Sequence, residues 1–355
     1  MPDLAASPPG WRRWWATPLV GLAGGTLASL IGWPLPWIIG SLLAVIAARC
    51  GGWLIGELPG GRQTGQWLVA SGIGLHFTGA VMTQLLGHFA LILAGAVGTL
   101  LLSLIGIALL RRAGLDRATA FFASMPGGAS EMVNLAQRHD AQIARVAAAH
   151  SLRLLLVVLL VPALFAWSLP PGAPVAPAAV NWAWLAVLLP AGAVLALLWK
   201  KLRQPNPWML GPLTACALAS VAFDLQLGLP PGLGQAGQWL IGCALGCHFD
   251  RAFFRNAPGF LARILLFTLL AMLGAALLAS GLGWLAGQNG SSLMLGMMPG
   301  GITELCLTAD ALQLSVALVT ALQVLRLFLV MFLAEPLFRL WQRSRGLPAR
   351  DRDHA

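Results

Sequence analysis

The sequence is poor in charge. Only 10% of its 355 residues are Asp, Glu, Lys or Arg, against about 25% in an ordinary soluble domain. That shortage excludes a water-soluble globular chain, which needs a charged surface around its core. The basic arm and aromatic-interleaved patch that grip phosphates are also missing, so the net charge of +10 does not signal nucleic acid. The six histidines, at 76, 88, 139, 150, 248 and 354, form no ligand-spaced cluster of the kind a copper or iron centre requires. The five cysteines (Cys50, Cys216, Cys243, Cys247 and Cys306) show no pairing pattern and read as small buried side chains. Cys243 and Cys247 stand beside His248, but the matching positions in the other half of the chain are Ser71 and Leu75. Packing therefore accounts for them better than a metal site, and neither a metal nor a cofactor is expected. No small-residue cleavage pattern follows the Trp11-Arg12-Arg13-Trp14-Trp15 flank, so the first apolar stretch is read as a retained helix.

What the sequence does have is apolar length. Ala, Val, Ile, Leu, Met, Phe, Trp and Cys make up 58% of the chain, and the mean hydropathy is +0.79. Phe89 to Leu110 runs 22 residues without a charge, about 33 Å of helix at ~1.5 Å per residue, enough to cross a bilayer. Ile264 to Ala286 is a second such run. An all-α membrane protein is expected.

The chain also repeats itself. Met125-Pro126-Gly127-Gly128-Ala129-Ser130-Glu131 returns as Met298-Pro299-Gly300-Gly301-Ile302-Thr303-Glu304, an offset of 298 − 125 = 173. Pro36-Trp37-Ile38-Ile39-Gly40 matches Pro207-Trp208-Met209-Leu210-Gly211 at 171, and Gly65-Gln66-Trp67-Leu68 matches Gly237-Gln238-Trp239-Leu240 at 172. Gly74-Leu75-His76-Phe77 matches Gly246-Cys247-His248-Phe249 at 172, Arg153 matches Arg326 at 173, and Pro162 matches Pro336 at 174. A tandem duplication is the only economical account of anchors in one order with a slowly drifting offset. The expected division is a cytoplasmic tail (1–16), repeat 1 (17–169), a linker (170–181), repeat 2 (182–342) and a second cytoplasmic tail (343–355). Apolar spans are expected near 17–32, 36–56, 65–86, 88–111 and 141–168, and again near 182–200, 207–223, 237–256, 261–286 and 314–340. A short apolar stretch (117–125 and 290–298) precedes each Pro-Gly-Gly.

Lys and Arg placement sets the orientation, because cytoplasmic loops collect them. If each Pro-Gly-Gly segment is a re-entrant hairpin, the inside stretches hold Arg12, Arg13, Arg49, Arg62, Arg111, Arg112, Arg117, Arg138, Lys200, Lys201, Arg203, Arg251, Arg255, Arg339, Arg343 and Arg345. The outside stretches (32–36, 168–181, 224–236, 286–291 and 306–313) hold no Lys or Arg. Six crossings per half would instead force Lys200 and Lys201 outside. The expectation is about ten transmembrane helices in two inverted repeats, each with a re-entrant Pro-Gly-Gly hairpin, and both termini cytoplasmic.

Interrupted helices in inverted repeats mark the substrate site of many secondary transporters. Non-helical backbone at membrane depth has to be buried in protein or line a wet cavity, which makes the tips Pro126, Gly127, Gly128, Pro299, Gly300 and Gly301 a candidate site. Glu131 and Glu304 follow the breaks within the first helical turn, where the helix dipole favours a carboxylate, and Ser130 and Thr303 are candidate caps. Arg153 and Arg326 lie deep in the final helix of each half, where an unpaired arginine costs at least ~2.5–3.5 kcal/mol. Glu131 and Glu304 are the partners the sequence offers. The alternatives are static ion pairs or an anion site. His76 and His248 are candidates for a proton relay, while His150, matched by Gln323, lacks support from the repeat.

The doubled Pro-Gly-Gly-x-[Ser/Thr]-Glu motif, the Gly-x-His-Phe pairs and the Pro-Trp-x-x-Gly starts resemble the AbrB family of bacterial inner-membrane proteins, over about residues 15 to 345. The resemblance implies a multi-pass inner-membrane protein loosely tied to regulation of gene expression. It supplies no substrate. An ammonia monooxygenase label also attached to that family finds no ligand cluster here, so an enzyme is not expected. The reading is a secondary transporter or exporter of a small solute, with an anion among the candidates, working by alternating access. The alternative is a membrane-embedded sensor acting on gene expression through a partner protein. Expected partners are the lipid bilayer, the solute, a coupling proton or cation and a second copy of the chain, with no nucleic acid.

Overall fold

The computed structural model describes residues 14–169, 178–287 and 290–343. Most of the two expected tails and the proline-rich part of the expected linker lie outside the described residues. Within them the chain is all helical: sixteen helices and one isolated β-bridge, between Ala179 and Leu227. Five helices are long and apolar enough to cross a bilayer: α5 (Phe89–Arg112), α8 (Ile143–Ser168), α9 (Trp182–Lys201), α13 (Pro258–Ala286) and α16 (Val316–Arg343). A sixth is added if α3 (Gly61–Gly74) and α4 (Gly79–Gly87) count as one bent span. Shorter apolar helices are α1 (Ala16–Leu30), α2 (Pro36–Cys50) and α10 (Pro207–Phe223). At 15 residues, α1 is about 22 Å long, less than the ~30 Å hydrocarbon thickness.

The apolar segment expected at 65–86 is not one helix. The α3 helix stops at Gly74, and α4 leaves at 85° after a break of four residues or fewer. Repeat 2 does the same: α11 (Leu233–Gly246) ends before Cys247, and the short α12 (Arg251–Arg255) follows, capped by Asp250, whose carboxylate accepts from Phe253 N at 2.8 Å. Phe77 N donates to Gly74 O and Phe249 N to Gly246 O, so both copies close with the same turn.

The described chain divides into two compact units, and each draws on both halves of the duplication. The first holds residues up to 87, 158–258 and 303–317; the second holds 88–157, 259–302 and 318 onward. In the first unit the halves exchange equivalent contacts. Trp67 Nε1 donates to Leu189 O and Trp239 Nε1 to Pro18 O, each at 3.0 Å. A Cβ on Gly74 would strike Cys216, one on Gly246 would strike Val45, and one on Gly65 would lie 2.8 Å from Gly237 O. These pairs match each other through the repeat offsets of 171 and 172. Reciprocity of this kind is what a two-fold relation produces, and small residues let helix backbones approach where lipid leaves no hydrophobic drive for packing. Cys243 belongs to this packing. Its thiol donates to Thr17 O at 3.7 Å, and its Sγ fills the space beside Gly21.

In the second unit, α6 (Arg117–Ser124) and α7 (Ala129–Arg138) flank the first Pro-Gly-Gly, and α14 (Gly290–Met297) runs into the second. Asp116 caps α6 by accepting from Thr119 N at 2.7 Å, and its other oxygen accepts from Gln142 Nε2 at 3.1 Å. Gln142 N in turn donates to Thr119 Oγ1 at 2.7 Å, fixing the start of α8 against the start of α6.

Candidate functional site

Both Pro-Gly-Gly segments interrupt helices. Met125 is extended (φ −62°, ψ 136°) at the end of α6, and α7 restarts at Ala129 with Gly128 as N-cap. On the second copy α14 ends at Met297, and α15 (Ile302–Ala311) restarts after residues 298–301. A helix end leaves carbonyls without intrahelical partners, and the following proline supplies no N–H. In an apolar setting those carbonyls need donors.

The arginines supply them. Arg153 Nη1 donates to Met125 O at 3.0 Å, and Arg326 Nη1 donates to Met298 O at 2.8 Å. Arg326 Nη2 also donates to Gly300 O at 2.7 Å. Each guanidinium thus lies against the C-terminal end of a half-helix, where the dipole favours a cation. The expected pairing of Arg153 with Glu131 is absent: no ion pair within 4.0 Å joins them, and the backbone of the break takes its place. The physical reason is that a guanidinium carries five donors in a fixed fork, which a backbone carbonyl and a neutral side-chain acceptor can engage in place of a carboxylate.

A second residue in each half completes the arrangement. Arg153 Nη2 lies 2.9 Å from His150 Nδ1, and His150 Nε2 lies 3.0 Å from Phe122 O. Arginine can only donate and a carbonyl can only accept, so His150 is the neutral tautomer with its proton on Nε2. Gln323 fills the same role: its Oε1 accepts from Arg326 Nη2, and its Nε2 donates to Gly296 O at 2.6 Å. Histidine and glutamine thus do one job, an acceptor toward the arginine and a donor toward the broken helix. The signal was present in the sequence as a donor–acceptor residue three positions before each arginine, hidden by the change of residue type. His150→Gln should therefore leave the thermal midpoint in nanodiscs nearly unchanged. His150→Leu, which orphans Phe122 O and part of Arg153, should cost about 2–4 kcal/mol at ~1–3 kcal/mol per unmade buried bond. Equal midpoints for the two variants would refute the assignment.

Within the second unit both breaks meet one cavity. It is lined by Pro126 and Pro299, by Arg153, and by the hydroxyl-bearing Thr99, Ser103 and Ser124, and its volume is about 10 Å³, room for a single water. Each hydroxyl donates to a carbonyl of its own helix, Thr99 to Ala96 O, Ser103 to Leu100 O and Ser124 to Ala120 O, so lone pairs remain for the cavity. Among the described residues, Arg153 is the one ionisable group in the lining. The second arginine is under more strain for partners, since its buried Nε makes no hydrogen bond.

The other predicted residues fall as follows. Ser130 is no cap: it lies in the first turn of α7 and donates to Glu131 Oε2 at 3.1 Å, and Gly128 is the N-cap. Glu131 folds back over Gly128, where any Cβ would collide with its carboxylate. Gly127 is confined by Met132 and Val330, each 2.9 Å from a built Cβ. Thr303 lies inside the first turn of α15, donating to Met209 Sδ at 3.5 Å. Glu304 is buried in α15 and belongs with Thr303 to the first unit, whereas Pro299, Gly300 and Gly301 belong to the second. His76 and His248 lie in the first unit, at the breaks after α3 and α11.

These features define a class: a helical membrane-type protein, built by duplication, in which two broken helices are each held open by an arginine from a long neighbouring helix. Sequence comparison gives the family. The chain belongs to the AbrB family, whose model, described as Transition state regulatory protein AbrB, matches residues 37–342. It is 31% identical over 271 residues to a protein of Escherichia coli (strain K12) named "Putative regulator AbrB", covering 73% of this chain and 76% of that one. It is also 27% identical over 362 residues to YhjN of Bacillus subtilis (strain 168), covering 92% of each.

Proposed function

We propose that the chain is a secondary transporter or exporter of a small anionic solute in the bacterial inner membrane. The observation that carries this reading is the cavity where Pro126, Pro299 and Arg153 meet. Broken helices meeting at one point are the usual way a transporter builds its binding site, and the Arg153 guanidinium in the lining is the group that attracts an anion. At about 10 Å³ the cavity is closed around no more than a water, so solute entry requires the breaks to separate. That is the motion alternating access demands.

In this proposal the chain crosses the membrane ten times, with the two Pro-Gly-Gly segments as hairpins entering from opposite faces and both termini cytoplasmic. Support comes from the Lys and Arg distribution, which leaves the five outside stretches without a basic residue. The reciprocal contacts of Trp67 and Trp239 add a two-fold relation between the halves. Glu131 and Glu304, each in the first turn of the helix after a break, are then candidates for protonation or cation binding during the cycle. A second reading, a membrane sensor acting through a partner protein, is favoured by the regulatory names of the family and of the Escherichia coli relative.

The test is uptake by proteoliposomes holding the purified full chain, with radiolabelled acetate, lactate, succinate and phosphate as probes. Saturable uptake of one of them supports transport, and uptake no faster than in empty vesicles for all four favours the sensor. Maleimide labelling of Lys201→Cys and Ser291→Cys in right-side-out vesicles checks the topology. The two positions should label from opposite sides, and labelling from one side would defeat the inverted arrangement.

A further inference from the structure

His76 has a partner that the repeat does not predict. Its Nδ1 lies 3.0 Å from Gly72 O and its Nε2 lies 3.2 Å from Asp310 Oδ1. A carbonyl accepts only, and so does an ionised carboxylate, so both ring nitrogens face acceptors. That environment is satisfied by an imidazolium and by no neutral tautomer. His150 shows the opposite pattern, one donor and one acceptor, and is neutral by the same logic.

The pair joins two broken elements of the first unit. His76 lies in the turn between α3 and α4, and Asp310 is near the end of α15, six residues after Glu304. The side chains are 44% and 55% exposed. Among the described residues the charged groups on the elements packed here are few, and Asp224, at the C-cap of α10, is one of them. The helices packed on α3 include α10 and α11, whose ranges contain no Asp, Glu, Lys or Arg. Their titratable groups are the buried thiols Cys216 and Cys243. On α9 the charges are Lys200 and Lys201 in its last turn, on α3 the charge is Arg62 in its first turn, and α4 has none. On α15 itself Glu304 is the other carboxylate. The duplication kept the histidine in both copies and the carboxylate in one: the position matching Asp310 is 310 − 173 = 137, which is Gln137. The stretch 306–313 is also one of those free of Lys and Arg, which in the ten-span topology proposed above puts Asp310 on the outer face.

We infer that His76 and Asp310 form a proton-binding site that holds α15 against the break after α3 when His76 is protonated and releases it when the proton leaves. The ligand is a proton taken from the outer face. As the coupling ion of a transport cycle the site rests on the transport reading above, but its existence as a proton site does not.

Two measurements on the full chain in nanodiscs decide it, and neither needs a solute. Nitrogen NMR of ¹⁵N-histidine protein, with His76→Gln to assign the signal, should find both His76 nitrogens protonated at pH 7.5. Asp310→Asn should return the ring to a single proton at the same pH. A singly protonated His76 in the unaltered chain, or a signal indifferent to Asp310→Asn, would overturn the site. Cys306, fully buried on α15, reports release. Its labelling by N-ethylmaleimide at pH 7, read by peptide mass spectrometry against Cys50, should quicken about fivefold in Asp310→Asn, near the ceiling for a half-exposed ion pair. Unchanged labelling would refute the link to α15. Failure of every solute to move in proteoliposomes would count against transport and leave the NMR result standing.

Discussion

Arg153→Ala should reduce proteoliposome uptake of whichever probe is carried by more than about tenfold while leaving a folded protein. The energies oppose each other. Removing the guanidinium orphans Met125 O and the accepting nitrogen of His150, at ~1–3 kcal/mol each. It also relieves the ~2.5–3.5 kcal/mol or more that an arginine costs at membrane depth. The net change in stability is therefore small, on the order of 1–2 kcal/mol, and the thermal midpoint in nanodiscs should move by only a few degrees. What is lost is the group that fixes the carbonyl end of α6 and gives the cavity its charge. Arg153→Lys separates the two roles. A lysine keeps the charge but not the planar fork, so uptake restored by lysine would assign the arginine to charge, and uptake still lost would assign it to geometry. Normal uptake in both variants would remove Arg153 from the site.

Gly65→Val should prevent accumulation of a monodisperse folded protein. A Cβ at Gly65 would sit 2.8 Å from Gly237 O and from Ile241 Cγ1, and 3.2 Å from Ile241 N. Two of those atoms are backbone and cannot rotate away, so α3 and α11 would have to separate. Overpacking with flexible neighbours costs ~1–3 kcal/mol; a displaced helix pair costs more, against a total stability of ~5–15 kcal/mol. Gly281→Ala is the control, since a Cβ there meets nothing within 4 Å and should gain up to ~1 kcal/mol from helix propensity. Size-exclusion profiles of the two variants in one detergent give the comparison. A normal profile for Gly65→Val would mean that the close α3–α11 approach does not support the fold.

The long apolar helices were legible because composition alone defines them: α5 and α13 cover the two charge-free runs. The breaks at Pro126 and Pro299 were legible because proline and paired glycine act locally. The breaks after Gly74 and Gly246 were not. Gly-Leu-His-Phe contains no proline and continues an apolar pattern, so the 85° turn there depends on packing that no local signal records. The partners of Arg153 and Arg326 were hidden for a different reason. Backbone carbonyls exist at every position and carry no residue identity, so a search for side-chain partners settles on the nearest carboxylate. His150 and Gln323 do not match by residue type, and their equivalence lies in hydrogen-bonding capacity alone. Asp310 carries no signal from the repeat, because its counterpart in the other copy is Gln137.

The indole bonds of Trp67 and Trp239 bear on the chain's history. Each half reaches across to a carbonyl of the other, Leu189 and Pro18, and neither keeps its tryptophan bond at home. A half-length ancestor could have made those same bonds only between two molecules, as a symmetric pair. The two copies are not identical in what they carry, and Gln137 opposite Asp310 is one place where they differ.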